Sequence, residues 1–251
     1  MHSRRALMLL ALAGALAAGS APCRALVGAT PDTRFADRVA MVLVRGAGGA
    51  GFCSALVLDS RTLLTAAHCL RAARDMAVHY RDASGAPIVV PVEAAAAHPL
   101  YRPDAIKSRV ESIDVALIRT ASPLDARFTG AALASGDGPR VGERVILTGY
   151  GAAGEGDWKS GGQLRSVTLT VREPQSNVLI WAADPDGRIA GACSGDSGAP
   201  IWSADGEAAV AIAAWAQAPQ GHGCGGLTQG PRLGPLRSWI EETRRNLAER
   251  R

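Results

Sequence analysis

Lysine is almost missing from the 251-residue chain, which has only Lys107 and Lys159. Setting residues 1–25 aside lowers the basic count from 27 to 24, against 23 acidic residues, and no dense Lys/Arg stripe remains. A nucleic-acid-binding surface is therefore not supported. Long apolar runs are also lacking. The longest, Ala6 to Ala18, falls short of the roughly 20 residues that cross a bilayer, and no later segment comes nearer, so no stable membrane anchor is expected. C-x-x-C spacing, a nucleotide motif and an acidic calcium loop after Cys69 are all absent, so neither cofactor nor metal is expected. His79 and His222 read as surface or loop residues and His98 as structural. Helix-favouring residues do not dominate, and there is no internal repeat or low-complexity linker.

The chain does contain an export pattern. Arg4 and Arg5 precede the short apolar run, and small residues lead to Ala25, so residues 1–25 are expected to be a signal peptide cut after Ala25. Ser3-Arg4-Arg5-Ala6-Leu7-Met8 also resembles a twin-arginine signal; ordinary secretion is the reading taken here. The expected location is secreted or periplasmic. Cys23 leaves with the signal, and Cys53, Cys69, Cys193 and Cys224 remain to form two disulfides in an oxidising compartment.

With 29 glycines and 14 prolines, the rest reads as short strands between turns. The candidates are 39–45, 54–59, 62–66, 88–94, 114–119, 144–149, 164–172, 178–182, 199–203 and 208–215. Val167, Leu169 and Val171 alternate with polar neighbours, the period of a half-buried strand. Gly46–Gly51 and Gly151–Gly162 read as mobile loops. Pro235, Leu236, Trp239, Ile240 and Leu247 predict one amphipathic C-terminal helix docked on the last barrel, with Glu241 and Arg245 paired on its surface.

Three segments carry chemistry: Thr65-Ala66-Ala67-His68-Cys69, Asp114-Val115-Ala116-Leu117-Ile118 and Gly195-Asp196-Ser197-Gly198-Ala199-Pro200. A serine hydroxyl needs a base to take its proton, histidine titrates near neutral pH, and a buried carboxylate fixes the histidine tautomer. His68, Asp114 and Ser197 suit these roles. An α/β-hydrolase elbow does not fit, because Ala199 stands where its last glycine belongs and the order here is His, Asp, Ser.

In this order, the segments identify residues 26–251 as resembling the chymotrypsin–trypsin family of serine proteases. His98-Pro99-Leu100-Tyr101 resembles the stretch that precedes the family's aspartate. The lysine-poor, alanine- and arginine-rich composition, associated with GC-rich bacterial genomes, makes a bacterial-type secreted member the expectation. The resemblance implies an all-β fold of two antiparallel six-stranded barrels, about 26–135 and 136–251, the second carrying the C-terminal helix. It implies a serine endopeptidase with catalytic His68, Asp114 and Ser197 and an oxyanion hole formed by the N–H groups of Gly195 and Ser197. It pairs Cys53 with Cys69 and Cys193 with Cys224. Leu26-Val27-Gly28-Ala29 resembles the family's mature N-terminus, which places a Leu26 ammonium on Asp196. Signal peptidase itself would create that terminus, and activity would fall in strong alkali as the ammonium deprotonated.

Six residues before Ser197 lies Gly191, at the pocket floor by resemblance, where trypsins carry an aspartate. With Gly191 and Ala192 uncharged and Ala214, Trp215 and Ala216 on the wall, small to medium apolar residues are expected rather than Lys or Arg. Ala214 lacks the hydroxyl that usually supports the triad carboxylate. Arg232 lies near the back of the pocket; pointing inward it would favour acidic residues, and pointing outward it would be solvated. Trp158 either touches substrate or is simply an exposed loop aromatic. The implied partners are a peptide or protein substrate and a protein inhibitor, and a monomer is expected. The competing readings are a catalytically silent protease-like binding protein and an esterase using the same triad.

Overall fold

The computed structural model describes residues 26–46, 49–71, 73–108, 110–220 and 223–249. The expected signal peptide and His222 lie outside these residues.

Six antiparallel strands close the first barrel: β1 (Val39–Gly46), β2 (Gly49–Val57), β3 (Thr62–Thr65), β4 (Ala73–Arg81), β5 (Pro87–Ala97) and β6 (Ala116–Thr120). They run in the order β1–β2–β3–β6–β5–β4. The interior is filled by Val42, Ala55, Val57, Leu63, Val78 and Ile118. The expected mobile loop at Gly46–Gly51 is largely strand, since β1 and β2 pair as far as Gly46 and Gly49. β4 was not among the expected strands, although Val78 and Tyr80 alternate inward with charged or polar neighbours.

The second module is β7 (Arg144–Gly149), β8 (Arg165–Val171), β9 (Leu179–Ala183), β10 (Pro200–Ser203), β11 (Ala208–Ile212), β12 (Trp215–Gln217) and β13 (Leu227–Pro231). These run β12–β13–β9–β8–β7–β10–β11, and the short segments Thr30–Pro31 and Ala132–Leu133 pair with β8 and β11, making a nine-stranded sheet. The sheet curls shut at an isolated bridge between Ala211 and Arg232, where the Leu233 N–H donates to Val210 O at 2.9 Å. The second barrel is thus closed by a bridge rather than by a full sixth ladder. Gly230 permits this approach, because a Cβ there would lie 1.7 Å from Ile212 O.

The expected strand 208–215 is split. The Ala213 N–H donates to Ala199 O (2.8 Å) and the Ala214 N–H to Gln229 O (2.9 Å), so the chain changes partner and turns Trp215 toward the cleft.

Leu56, Leu64 and Leu117 from the first barrel meet Ile146, Trp202 and Ile212 from the second in one buried seam. A 3-10 turn containing Pro235 leads into helix α1 (Arg237–Glu249), whose Ile240 and Leu247 are buried in that seam. Each such aliphatic side chain contributes about 1.5–3 kcal/mol on burial. The helix packs on β5 and β6, returning to the first barrel instead of resting on the last one. Glu241 pairs with Arg244 at 3.0 Å, one residue short of the expected partner, and Arg244 also approaches Asp59 at 3.9 Å. His98 lies edge-on to Trp239 at 4.6 Å, joining the helix to the loop before β6.

Candidate active site

His68 opens a single helical turn after β3, Asp114 lies just before β6, and Ser197 sits in the turn that leads to β10. These segments are distant in sequence, and the seam brings their side chains together. His68 Nδ1 is 2.6 Å from Asp114 Oδ2, and His68 Nε2 is 2.7 Å from Ser197 Oγ. The His68 backbone N–H also donates to Asp114 Oδ1 at 2.9 Å, so both carboxylate oxygens are held by the same residue. An ionised carboxylate can only accept, so the ring proton belongs on Nδ1 and Nε2 is left to accept from the serine hydroxyl.

Around Ser197 the backbone is tightly determined. The Ser54 N–H donates to Ser197 O (2.8 Å) and Ser54 Oγ to Gly195 O (3.0 Å), while the Tyr150 N–H donates to Ser54 Oγ (3.0 Å). Ser54 on β2 therefore ties the first barrel to the nucleophile turn. Among the described residues, the N–H groups of Gly195 and Ser197 have no protein acceptor. Gly195 has φ +96°, and a Cβ there would lie 2.2 Å from the Phe52 ring, so only glycine fits. Two unpaired N–H groups beside the hydroxyl form a cradle for a negatively charged oxygen.

Asp196 is fully buried, and its carboxylate accepts from the Gly151 N–H (2.8 Å) and the Cys193 N–H (3.0 Å). Burial pushes its pKa up to about 7 against the pull of those two bonds. Leu26 is also buried, and its N–H donates to the carbonyls of Ala152 (2.9 Å) and Gly151 (3.2 Å). Gly151 therefore bonds Asp196 through its N–H and Leu26 through its carbonyl. In the intact chain the Leu26 nitrogen is an amide with one hydrogen and no charge, so it bonds carbonyls and supplies no cation to the carboxylate, which feels the charge of Arg165.

Both disulfides expected from the resemblance are present, Cys53–Cys69 beside His68 and Cys193–Cys224 beside the pocket. The latter packs with Ala152, Val27 and Ala216. Gly191 donates to Val27 O at 3.0 Å, and Ala192 donates to Thr228 Oγ1 at 2.9 Å. Thr228 is buried on β13, opposite Ala216 on β12, and a Cβ on Gly191 would come within 2.8 Å of its hydroxyl. None of Gly191, Ala192, Ala216 and Thr228 carries a charge.

Arg232 does not enter that space. Its guanidinium donates to the carbonyls of Asp137 (2.6 Å), Pro139 (3.0 Å) and Leu179 (3.2 Å), and burial lowers its pKa. A cleft of about 590 Å³ runs from the triad along Tyr101, Val110, Leu179, Ala214 and Trp215. A second cavity of about 580 Å³, lined by Asp32, Arg34, Asp184 and Arg188 among others, shares no residue with it. Glu155, Cys193 and Cys224 converge, but with both cysteine sulfurs in a disulfide they do not fit a metal ion.

Ser54, Phe52 and Thr228 carry no motif. Thr228 could have been reached by aligning the residues after Cys224 with the pocket wall; Ser54 and Phe52 gave no local signal.

The trypsin family model matches residues 29–236. Trypsin, alkaline B, of Manduca sexta is 30% identical over 228 residues, covering 78% of this chain and 83% of that protein. The solved structure of GrC superposes with a TM-score of 0.72 at 22% identity, covering 88% of this chain and all of that one. The scabies mite inactivated protease paralogue S-I1 gives a TM-score of 0.68 at 22% identity, covering 86% and 97%. The organisms in these names are animals, so the expected bacterial type finds no support here. With the family model spanning most of the chain and the relative aligned along most of both lengths, the chain belongs to the trypsin family of serine proteases.

Proposed function

We propose that the chain is a secreted serine endopeptidase that cleaves peptide bonds through an acyl-enzyme on Ser197. The observation that carries this reading is the unbroken contact path from Asp114 through His68 to Ser197 Oγ, with contacts of 2.6 and 2.7 Å, beside two unpaired N–H groups. His68 takes the hydroxyl proton as Ser197 attacks the carbonyl and returns it to the leaving amine, and Asp114 stabilises the imidazolium. The N–H groups of Gly195 and Ser197 receive the oxyanion. Water then repeats the sequence and releases the acyl group. The fold alone does not carry this reading, since a protease paralogue named as inactivated shares it.

The uncharged space at Gly191, Ala192, Ala216 and Thr228 supports a preference for small to medium apolar residues on the acyl side. The burial of Leu26 against Gly151 and Ala152, next to Asp196, supports a mature chain beginning at Leu26, whose ammonium neutralises that carboxylate. The processed protein acts as a monomer outside the cytoplasm.

A fluorophosphonate probe tests the central claim. Folded protein beginning at Leu26 should be labelled at Ser197, and the His68→Ala variant should not. Failure to label folded, processed protein would instead support a binding protein. Matched peptides ending in Ala, Leu, Phe, Arg and Glu test the pocket, with Arg and Glu expected to be poorest.

A further inference from the structure

The cavity of about 580 Å³ at Asp32 and Asp184 shares no residue with the catalytic cleft, and one of its walls is an interrupted sheet edge. β7 covers one side of β8 from Arg165 to Thr170. On the other side, Thr30 and Pro31 pair with Ser166 and Arg165, and β9 pairs with Thr170 and Val171, so no strand covers residues 167–169. The Val171 N–H donates to Glu143 O on the β7 side, whereas the Arg172 N–H donates to Trp181 O on β9. Backbone groups alternate in direction along a strand, so Thr168 turns its N–H and C=O to the uncovered side. Val167 and Thr168 line the cavity there.

Each segment that flanks this gap carries a carboxylate–guanidinium pair. Asp32 and Arg34 follow Thr30–Pro31, and Asp184 and Arg188 follow β9. In both pairs the carboxylate is the inner partner. Side-chain exposure is 12% for Asp32 against 62% for Arg34, and 3% for Asp184 against 70% for Arg188. Asp32 accepts from the Arg34 backbone N–H, Nε and Nη2. Asp184 accepts from the backbone N–H groups of Asp186 and Arg188 and from Arg188 Nε and Nη2. The carboxylates are thus occupied, whereas Nη1 of either arginine has no protein acceptor among the described residues. The groups left over on the side chains are donors.

A matching ligand brings carboxylates for the arginines and a main chain for Thr168. We propose that this cavity is a docking site for an acidic peptide segment, extended along residues 167–169, whose carboxylates bond Arg34 and Arg188 and whose backbone pairs with Thr168. Acidic side chains two residues apart share one face of such a segment, and charge-assisted bonds to arginine add to the main-chain pairing. Asp186 illustrates the contact, since its exposed carboxylate lies 3.1 Å from Arg188 Nη2. An incoming carboxylate competes with it for the same guanidinium.

Nuclear magnetic resonance of 15N-labelled processed protein tests this, in the Ser197→Ala background so that no peptide is cleaved. The probe is Ac-Glu-Ala-Glu-NH2, compared with Ac-Gln-Ala-Gln-NH2 and with citrate. The acidic probe should shift the Thr168 amide and the Arg34 and Arg188 Nε–H signals saturably, and the glutamine probe should bind roughly tenfold more weakly. Citrate has carboxylates but no backbone, and should leave the Thr168 amide in place.

Arg34→Gln and Arg188→Gln should each weaken the acidic probe by roughly tenfold, and raised salt should weaken it as well. Asp186→Asn should tighten it by roughly threefold, a gain that a damaged fold cannot produce. The proposal fails if Thr168 shows no saturable shift, if the glutamine probe binds equally, or if Asp186→Asn brings no gain. Citrate moving the Thr168 amide as far as the peptide does would also overturn it, assigning the arginines to a free anion instead. Each of these outcomes leaves the proteolytic reading intact, because the cavity and the cleft are lined by different residues.

Discussion

The two barrels contribute unequal parts of the site. In the first, His68 and Asp114 leave the ends of adjacent strands β3 and β6, and the His68 backbone N–H donates to the Asp114 carboxylate at 2.9 Å. In the second, Ser197 and Gly195 lie in the turn before β10, where Asp196 between them accepts from the Gly151 and Cys193 N–H groups. The positions of His68 and Asp114 are therefore set by two paired strands of one barrel. Ser197 and Gly195 flank Asp196, which bonds Gly151, the residue whose carbonyl accepts from the Leu26 N–H. Under the proposed processing at Leu26, the new terminus would meet only the second half of the site.

The sharpest way to break this comparison is to remove one member from each side. Ser197→Ala and His68→Ala should each lower kcat by roughly four to six powers of ten, and the double variant should lose little more, because the two act as one unit. Steady-state turnover of the singles and the double checks this; additive losses would argue against a shared unit. Gly195→Val leaves the triad members in place but forces a branched side chain into the Phe52 ring at a positive φ. Turnover should fall by about 10²–10³-fold, as for the loss of one oxyanion donor, while a crystal structure of the variant retains the His68–Asp114 contact.

The proposed pairing of a processed Leu26 with Asp196 has a pH signature. Folded Asp196 protonates near 7, pushed up by burial, whereas an unfolded carboxyl protonates near 4. Between those values the folded intact chain binds the additional proton, so this group's contribution favours folding below about pH 4 and weakens as pH rises to about 7. Thermal melts of the intact chain should show that decline. Asp196→Asn should remove it, and processing to Leu26 should flatten it by supplying a cation. Identical pH profiles for the intact and processed proteins would show that Leu26 does not serve Asp196.

Smaller effects are expected within the pocket. Thr228→Gly should raise kcat/KM for peptides ending in Phe by roughly tenfold relative to Ala. No change in that ratio would mean that another residue sets the pocket depth.

The legible parts of the site were those compressed into short segments. Thr-Ala-Ala-His-Cys and Gly-Asp-Ser-Gly each hold a reactive side chain together with the small residues that allow its turn, so both could be read in place. Ser54 and Thr228 act on partners 141 and 36 residues away, and nothing beside them in the chain marks the contact. Arg232 shows the same limit, because whether its head group met solvent, substrate or carbonyls depended on where Asp137, Pro139 and Leu179 came to lie. The C-terminal helix was evident from its periodicity, but its docking on β5 and β6 was not, since an apolar stripe does not name the surface that covers it.

Residue order alone therefore determined the strand-rich class, the three reactive groups and the terminal helix, because these depend on side-chain chemistry and on periods of two and 3.6 residues. Tertiary structure decided the bridge-closed second barrel, the Thr228-lined pocket and the meeting of Leu26 and Asp196 at Gly151. Each of these is a contact between segments far apart in the chain. Such contacts are selected by how surfaces fill space when they meet, a quantity no short stretch of sequence contains.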